Sequence, residues 1–131
     1  MKYLVDSDYV ADYLGARLHA MQLLSFFAKD DLAISLITYG EIYEGIHFGR
    51  DLQKTTDVFQ RFLRSVIILP PTQTIMQQFA HIRGELRRKG NIIGDFDIFI
   101  ASTAIQHHLT LLTRNTRDYQ RIPNLTIYKA G

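Results

Sequence analysis

At 131 residues, 47% apolar and 21% charged, the chain is sized for one domain with its own hydrophobic core and is too small for two ordinary ones. It has no cysteine, which excludes disulfides, thiolate metal sites and cysteine nucleophiles; its net charge of +2 permits a nucleic-acid partner without calling for one. No apolar run approaches the roughly 20 residues that span a bilayer, and Met1-Lys2 leads into the first strand without the features of a signal peptide, so a cytoplasmic protein is expected.

Tyr3-Leu4-Val5 is a short apolar run ending on Asp6 and Ser7, the pattern of a buried strand in an α/β sheet. An ionised carboxylate is costly there unless it stands at the strand's end, facing solvent, a cation or a substrate. Open α/β sheets bind their ligands outside the carboxyl ends of the strands. Taken alone, Asp6 or Ser7 could equally cap the helix that follows. That helix runs to about Leu14, with Val10, Tyr13 and Leu14 as its apolar stripe and Gly15 as its stop. A second helix, Ala16 to Ala28, carries Leu18, Met21, Leu24, Phe26 and Phe27 and is apolar enough to be covered on both sides. Lys29-Asp30-Asp31 is a turn, and Leu32 to Ser35 the second strand.

Ile37 to His47 returns to helix, weakened by Gly40 and Gly45 and so dependent on packing, with Glu41 near its start. After a break at Gly49-Arg50-Asp51, a helix from Leu52 to Arg64 turns Val58, Phe59, Phe62 and Leu63 inward. Val66 to Leu69 is the third strand, stopped by Pro70-Pro71. Thr72 caps a long helix to Lys89, whose last turn is basic and whose stop is Gly90. Gly94-Asp95-Phe96-Asp97 then opens an almost wholly apolar helix, Ile98 to Gln106. Thr110 to Thr113 is the fourth strand, Arg114 to Arg121 a loop with a short helix, and Leu125 to Tyr128 the fifth strand. Strands alternating with helices predict one α/β domain over residues 1–131 with a mainly parallel five-stranded sheet.

The acids follow this pattern. Asp6 comes after the first strand, Glu41 lies in the first turns of the helix after the second, Asp95 and Asp97 open the apolar helix, and Asp118 follows the fourth strand. In a parallel sheet these points share one edge, because every crossover returns the chain in the same direction. Carboxylates gathered there repel one another unless protons or a cation intervene. Hard oxygen ligands suit Mg²⁺, or Mn²⁺ in its place, rather than zinc, and such a site is equipped for metal-assisted phosphodiester hydrolysis.

The chain resembles the PIN-domain ribonucleases, and among them the VapC toxins of bacterial toxin–antitoxin pairs. The residues that carry the likeness are Tyr3-Leu4-Val5-Asp6-Ser7; Ile34-Ser35 through Tyr39-Gly40-Glu41-Ile42-Tyr43-Glu44-Gly45; Ile93-Gly94-Asp95-Phe96-Asp97-Ile98-Phe99-Ile100-Ala101; and Leu112-Thr113-Arg114-Asn115-Thr116-Arg117-Asp118-Tyr119. Each motif alone is weak; the four in order are specific. The resemblance implies a three-layer α/β/α sandwich and a Mg²⁺-dependent endoribonuclease that cuts transfer RNA or a ribosomal RNA loop. It places the four catalytic acids on Asp6, Glu41, Asp97 and Asp118, with Asp6 and Asp97 as principal metal ligands and Glu41 and Asp118 reaching the metal directly or through water. Asp97 rather than Asp95 stands at the family's distance from an Ile-Ala pair, which leaves Asp95 auxiliary, as a helix cap. Asn115 sits where many relatives carry an acid, and competes with Asp118 for the fourth place. Ser7 matches the small hydroxyl residue that supports the first acid. A VapB-type antitoxin and a homodimer are the implied protein partners, with the antitoxin contact placed on the helices at Ala16–Ala28 and Ile37–His47.

Of the basic residues, Arg114, Arg117 and Arg121 are the candidates for RNA phosphate, because their loop adjoins the acids. Arg87-Arg88-Lys89 complements a helix C-terminus, and His107-His108 reads as an ordinary helix end. Two other functions compete. Asp6-Ser7-Asp8-Tyr9-Val10 fits the opening motif of haloacid-dehalogenase-type phosphatases, whose later acids follow a strand rather than open a helix. A degenerate, non-catalytic module that only binds RNA or protein would not be expected to keep acids at every site.

Overall fold

The computed structural model describes residues 1–28 and 31–129, so the Lys29-Asp30 part of the expected turn lies outside the described residues. Five strands, β1 (Tyr3–Val5), β2 (Leu32–Ser35), β3 (Val66–Leu69), β4 (Thr110–Leu112) and β5 (Thr126–Ile127), form one sheet in the order β3-β2-β1-β4-β5. Every neighbouring pair is parallel; Leu4 stands opposite Ala33 on one side and Leu111 on the other. Among the described residues the helices are α1 (Ser7–Leu14), α2 (Leu18–Phe27), α3 (Leu36–His47), α4 (Leu52–Leu63), α5 (Gln73–Arg88), α6 (Asp95–Gln106) and α7 (Thr116–Tyr119).

The central strands β1, β2 and β4 are apolar on both faces because both faces are covered, whereas the edge strand β3 leaves Ile67 and Ile68 exposed. Successive side chains alternate between two cores. Leu4, Ala33, Leu69 and Leu111 meet residues of α5, α6 and α7, including Ile82, Leu86, Ile98, Ala101 and Tyr119. Val5, Leu32, Ile34 and Leu112 meet Val10, Leu24, Phe27, Ile42, Ile46, Phe59 and Phe62 from α1 to α4. The result is the expected three-layer sandwich. In α6 burial extends to Ser102 and Thr103, whose hydroxyls donate to the carbonyls of Ile98 at 2.7 Å and Phe99 at 2.9 Å, so these two polar side chains are satisfied within the helix.

Local differences from the sequence reading have local causes. The left-handed residue after α1 is Ala16, φ 57°, rather than Gly15, which delays the start of α2 to Leu18. Asp95 is the first residue of α6 and Gly94 occupies the cap position, so Asp95 is not a helix cap. The outer face of α2 leaves Leu18, Met21 and Phe26 exposed, while α4 turns Phe59 and Phe62 into the core and exposes Leu52. No helix of the described residues is long and apolar enough to cross a membrane.

Two glycines make opposite predictions. Gly90 sits at φ +74° after α5, a conformation that an L side chain adopts at a cost. Gly40 lies inside α3, where an added Cβ meets nothing within 4 Å. Gly90→Ala should lower stability by about 1 kcal/mol and Gly40→Ala should raise it by roughly 0.5–1 kcal/mol, both read from urea unfolding midpoints.

Candidate active site

Because all strands run the same way, the N-termini of α1, α3 and α7, which follow β1, β2 and β4, gather at one edge of the sheet, and α6 begins there too. Helix N-termini favour negative charge. Acids stand at or within the early turns of each of these helices, and this is where they meet.

Asp6 is the centre. It is 5% exposed and combines the two roles left open by the sequence: it occupies the cap position of α1, and it lies among acids. Its Oδ1 accepts from the Ser7 N–H at 2.8 Å and its Oδ2 from the Thr113 hydroxyl at 2.7 Å. Burial, then the Asp8 charge, push its carboxyl up from an ordinary 3.8 to about 7; the bonds from Thr113 and Ser7 pull it back, and Asp97 adds a further push. Glu41, on the second turn of α3, accepts from the Ser7 hydroxyl at 2.6 Å. Ser7 therefore supports the first acid through its backbone and the second through its side chain. Burial raises the Glu41 carboxyl, the Ser7 bond lowers it, and Asp97 and Glu44 raise it. Asp97, in the first turn of α6, accepts from the Tyr119 hydroxyl at 3.3 Å. It is raised by burial, eased by Tyr119, and raised again by Asp118 and Asp8.

Asp118 completes the group from α7. Its carboxylate accepts from the Asn115 side-chain amide at 3.4 Å and stands 3.9 Å from the Arg121 guanidinium. Asn115 is thus a neighbour of the fourth acid, and its backbone N–H also steadies Thr113 at 3.0 Å. Asp95 is turned elsewhere, to Arg83 of α5 at 2.7 Å. Arg114 pairs with Asp12 of α1 at 2.9 Å; Arg117 is exposed. Among the described residues no Lys, Arg or His forms an ion pair with Asp6, Asp8, Glu41 or Asp97.

Sequence reasoning missed two members. Asp8 accepts from the Arg114 N–H at 2.8 Å, lies 3.3 Å from the Thr113 hydroxyl, and is the largest charge acting on Asp6. Its one signal in the sequence is the Asp6-Ser7-Asp8 spacing, which points to the phosphatase pattern instead. Tyr119 is fully buried, and burial together with the Asp6 and Asp97 charges pushes its phenol far above its ordinary range, so it stays a donor. The groove leading from the acids is lined by α1, α3 and the start of α4, with Ala11, Ile42, Gly45 and Thr55 along it, and α1 packs against both α2 and α3, the helices on which the antitoxin contact is expected.

The donor set is all hard oxygen. Among the described residues no three acids or histidines form a ready-made metal cage; each carboxylate instead keeps a hydrogen-bond donor. Mg²⁺ retains several waters and takes only one or two carboxylates directly, so mutually repelling carboxylates held apart by donors fit it, where zinc would ask for a closed N or S set.

The PIN domain family model matches residues 3–125, and the chain belongs to the PIN-domain family. Within that family the likeness is to VapC ribonucleases. The chain is 33% identical over 105 residues to Ribonuclease VapC2 of Rickettsia felis, covering 79% of this chain and 78% of that one. It is 30% identical over 96 residues to the tRNA(fMet)-specific endonuclease VapC of Salmonella typhimurium, covering 73% of each. The structure of VapBC2 from Rickettsia felis, solved bound to a DNA fragment from its promoter, superposes with a TM-score of 0.91 at 28% identity over 100% of both chains.

The raised carboxyls fix the pH response of the metal-free protein. For Asp6, a folded-state value above the unfolded one means that its contribution to stability is fully present below about pH 4 and is lost as pH rises through about 7. Across that interval the loss approaches about 1.4 kcal/mol for each pH unit. Denaturant unfolding in chelator should therefore give a less stable protein at pH 8 than at pH 5. Asp6→Asn should flatten that slope and be more stable than the wild type at pH 8.

Proposed function

We propose that this chain is the toxin of a toxin–antitoxin pair: a single PIN domain, cytoplasmic, that hydrolyses phosphodiester bonds in RNA with Mg²⁺ and is neutralised by a VapB-type antitoxin. The observation that carries the reading is the meeting of Asp6, Glu41 and Asp97 at one sheet edge, each with its carboxyl raised by burial and by its acidic neighbours. Groups so arranged destabilise a protein that has no use for them. The likeness to ribonucleases, one of them named for tRNA(fMet), supports RNA as substrate and transfer RNA ahead of a ribosomal RNA loop.

Asp6 and Asp97 would hold the Mg²⁺, with Glu41 and Asp118 reaching it directly or through water. The bound ion supplies the positive charge that lets these carboxylates ionise together and that offsets charge developing on a phosphodiester under attack. Glu41, its carboxyl raised by burial and oriented by the Ser7 hydroxyl, is the group placed to accept a proton from the attacking water. Asp118 and Asn115 border the same edge on α7, and Arg117, exposed on that helix, meets RNA phosphate together with Arg121. Arg114, engaged by Asp12, holds the loop against α1. The open face of α2, with Leu18, Met21 and Phe26, suits a second protein chain, as in a homodimer or the antitoxin complex.

Purified protein incubated with total cellular RNA should yield discrete fragments with Mg²⁺ and none with chelator, and Asp6→Asn should reduce cleavage by about 100-fold or more. Intact RNA beside an active control nuclease would refute the reading. Without substrate, Mg²⁺ or Mn²⁺ should raise the melting temperature, and Asp97→Asn should diminish that rise while stabilising the metal-free protein.

A further inference from the structure

We infer that Tyr119 is a positioning residue for metal binding: its buried hydroxyl occupies Oδ1 of Asp97 and so commits the other carboxylate oxygen to the open side of the site. The inference rests on the metal-dependent reading above and concerns a residue outside the four acids.

The ring of Tyr119 belongs to the core beneath the sheet edge, in the cluster that includes Ile93, Ile98, Ala101 and Ile122, and it is 0% exposed. A phenylalanine would fill that space, so packing explains the ring and leaves the hydroxyl unexplained. A buried hydroxyl is costly unless it is hydrogen-bonded. This one lies 3.3 Å from Asp97 Oδ1 and also faces Asp6, the two acids assigned as principal ligands. The other oxygen of Asp97, Oδ2, lies toward Gly94, 4.0 Å from where a Cβ on that glycine would stand, and Gly94 and Asp97 both line an open cleft with Glu41 and Phe96.

The arrangement divides the work of the Asp97 carboxylate. One oxygen is fixed from behind by a neutral donor anchored in the core; the other is left for a cation or its waters. Partners that orient a ligating carboxylate in this way contribute strongly to metal affinity. Tyr119 is suited to the task because, although α7 is a single turn, the ring is fully buried in the core and so fixes the hydroxyl.

The test is Tyr119→Phe, which removes one oxygen and keeps the ring. Mn²⁺ binding is followed by the loss of the free-ion electron paramagnetic resonance signal, and kcat and KM are measured on the RNA that the wild type cleaves. The expected result is Mn²⁺ affinity weakened about 10-fold, kcat lowered, and KM for RNA unchanged. Ile122→Val, which loosens the same core without touching a polar group, should lower the melting temperature and leave Mn²⁺ affinity as in the wild type. In metal-free protein, Tyr119→Phe and Asp97→Asn should be non-additive in stability. Wild-type Mn²⁺ affinity in Tyr119→Phe would overturn the inference and leave the metal-dependent reading standing. Failure of the wild type to bind Mn²⁺ would overturn both.

Discussion

Acidic side chains half-buried together at the end of a parallel sheet are the constraint on which the rest of this structure depends. Asp6 has almost no access to water, and the nearest charges acting on it, Asp8 and Asp97, are of its own sign. Desolvation and repulsion push the same way, and only fixed donors oppose them. The protein supplies those donors from separate parts of the chain: the Ser7 backbone and hydroxyl, the Thr113 hydroxyl and the Tyr119 phenol. Each is neutral. A lysine or arginine in their place would relieve the repulsion permanently and leave a bound cation little to gain.

The fold serves this arrangement directly. A sheet of five parallel strands needs helices on both faces, and its carboxyl edge then receives several helix N-termini whose partial positive charge offsets the acids. Arg121 reaches Asp118 at 3.9 Å, and two other cations near the edge are held to the side. Arg83 engages Asp95 and Arg114 engages Asp12, so these two guanidinium groups brace the rim without entering the acid cluster. The Rickettsia felis VapBC2 structure matches this fold over the whole length of both chains.

Most of the scaffold is legible in the sequence because its signals are local. Short apolar runs ended by an acid or a proline mark β1 and β3, Thr72 and Gly90 bracket α5, and parallel connection alone puts Asp6, Glu41, Asp97 and Asp118 at one edge. What escapes depends on contacts between distant elements. Asp8 enters the sequence reading only through the phosphatase-like spacing from Asp6; its link to Thr113 and the Arg114 backbone requires β4 to lie beside β1. Tyr119 enters the sequence reading only as the aromatic after Asp118; neither the burial of its ring nor the place of its phenol oxygen is carried by a local pattern. The partner of Asp95 is Arg83 on a different helix, which no cap rule anticipates. That the groove beside the acids runs along α1 and α3 follows from the packing of α1 against α2 and α3, a tertiary choice no local signal carries.

The hydrogen bond from Thr113 to Asp6 joins residues 107 positions apart, and it depends on β4 pairing with β1 at the middle of the sheet. The first acid therefore acquires its full set of donors only after nearly the whole chain has been made and has folded back on its beginning. Contacts of such long range form late, since the closure of so large a loop must precede them. During synthesis, a chain that has emerged only as far as α6 carries Asp6, Glu41 and Asp97 but neither Thr113 nor Tyr119. An acid cluster built this way lacks two of its neutral donors in every unfinished copy of the chain, and is completed only when the last strands dock.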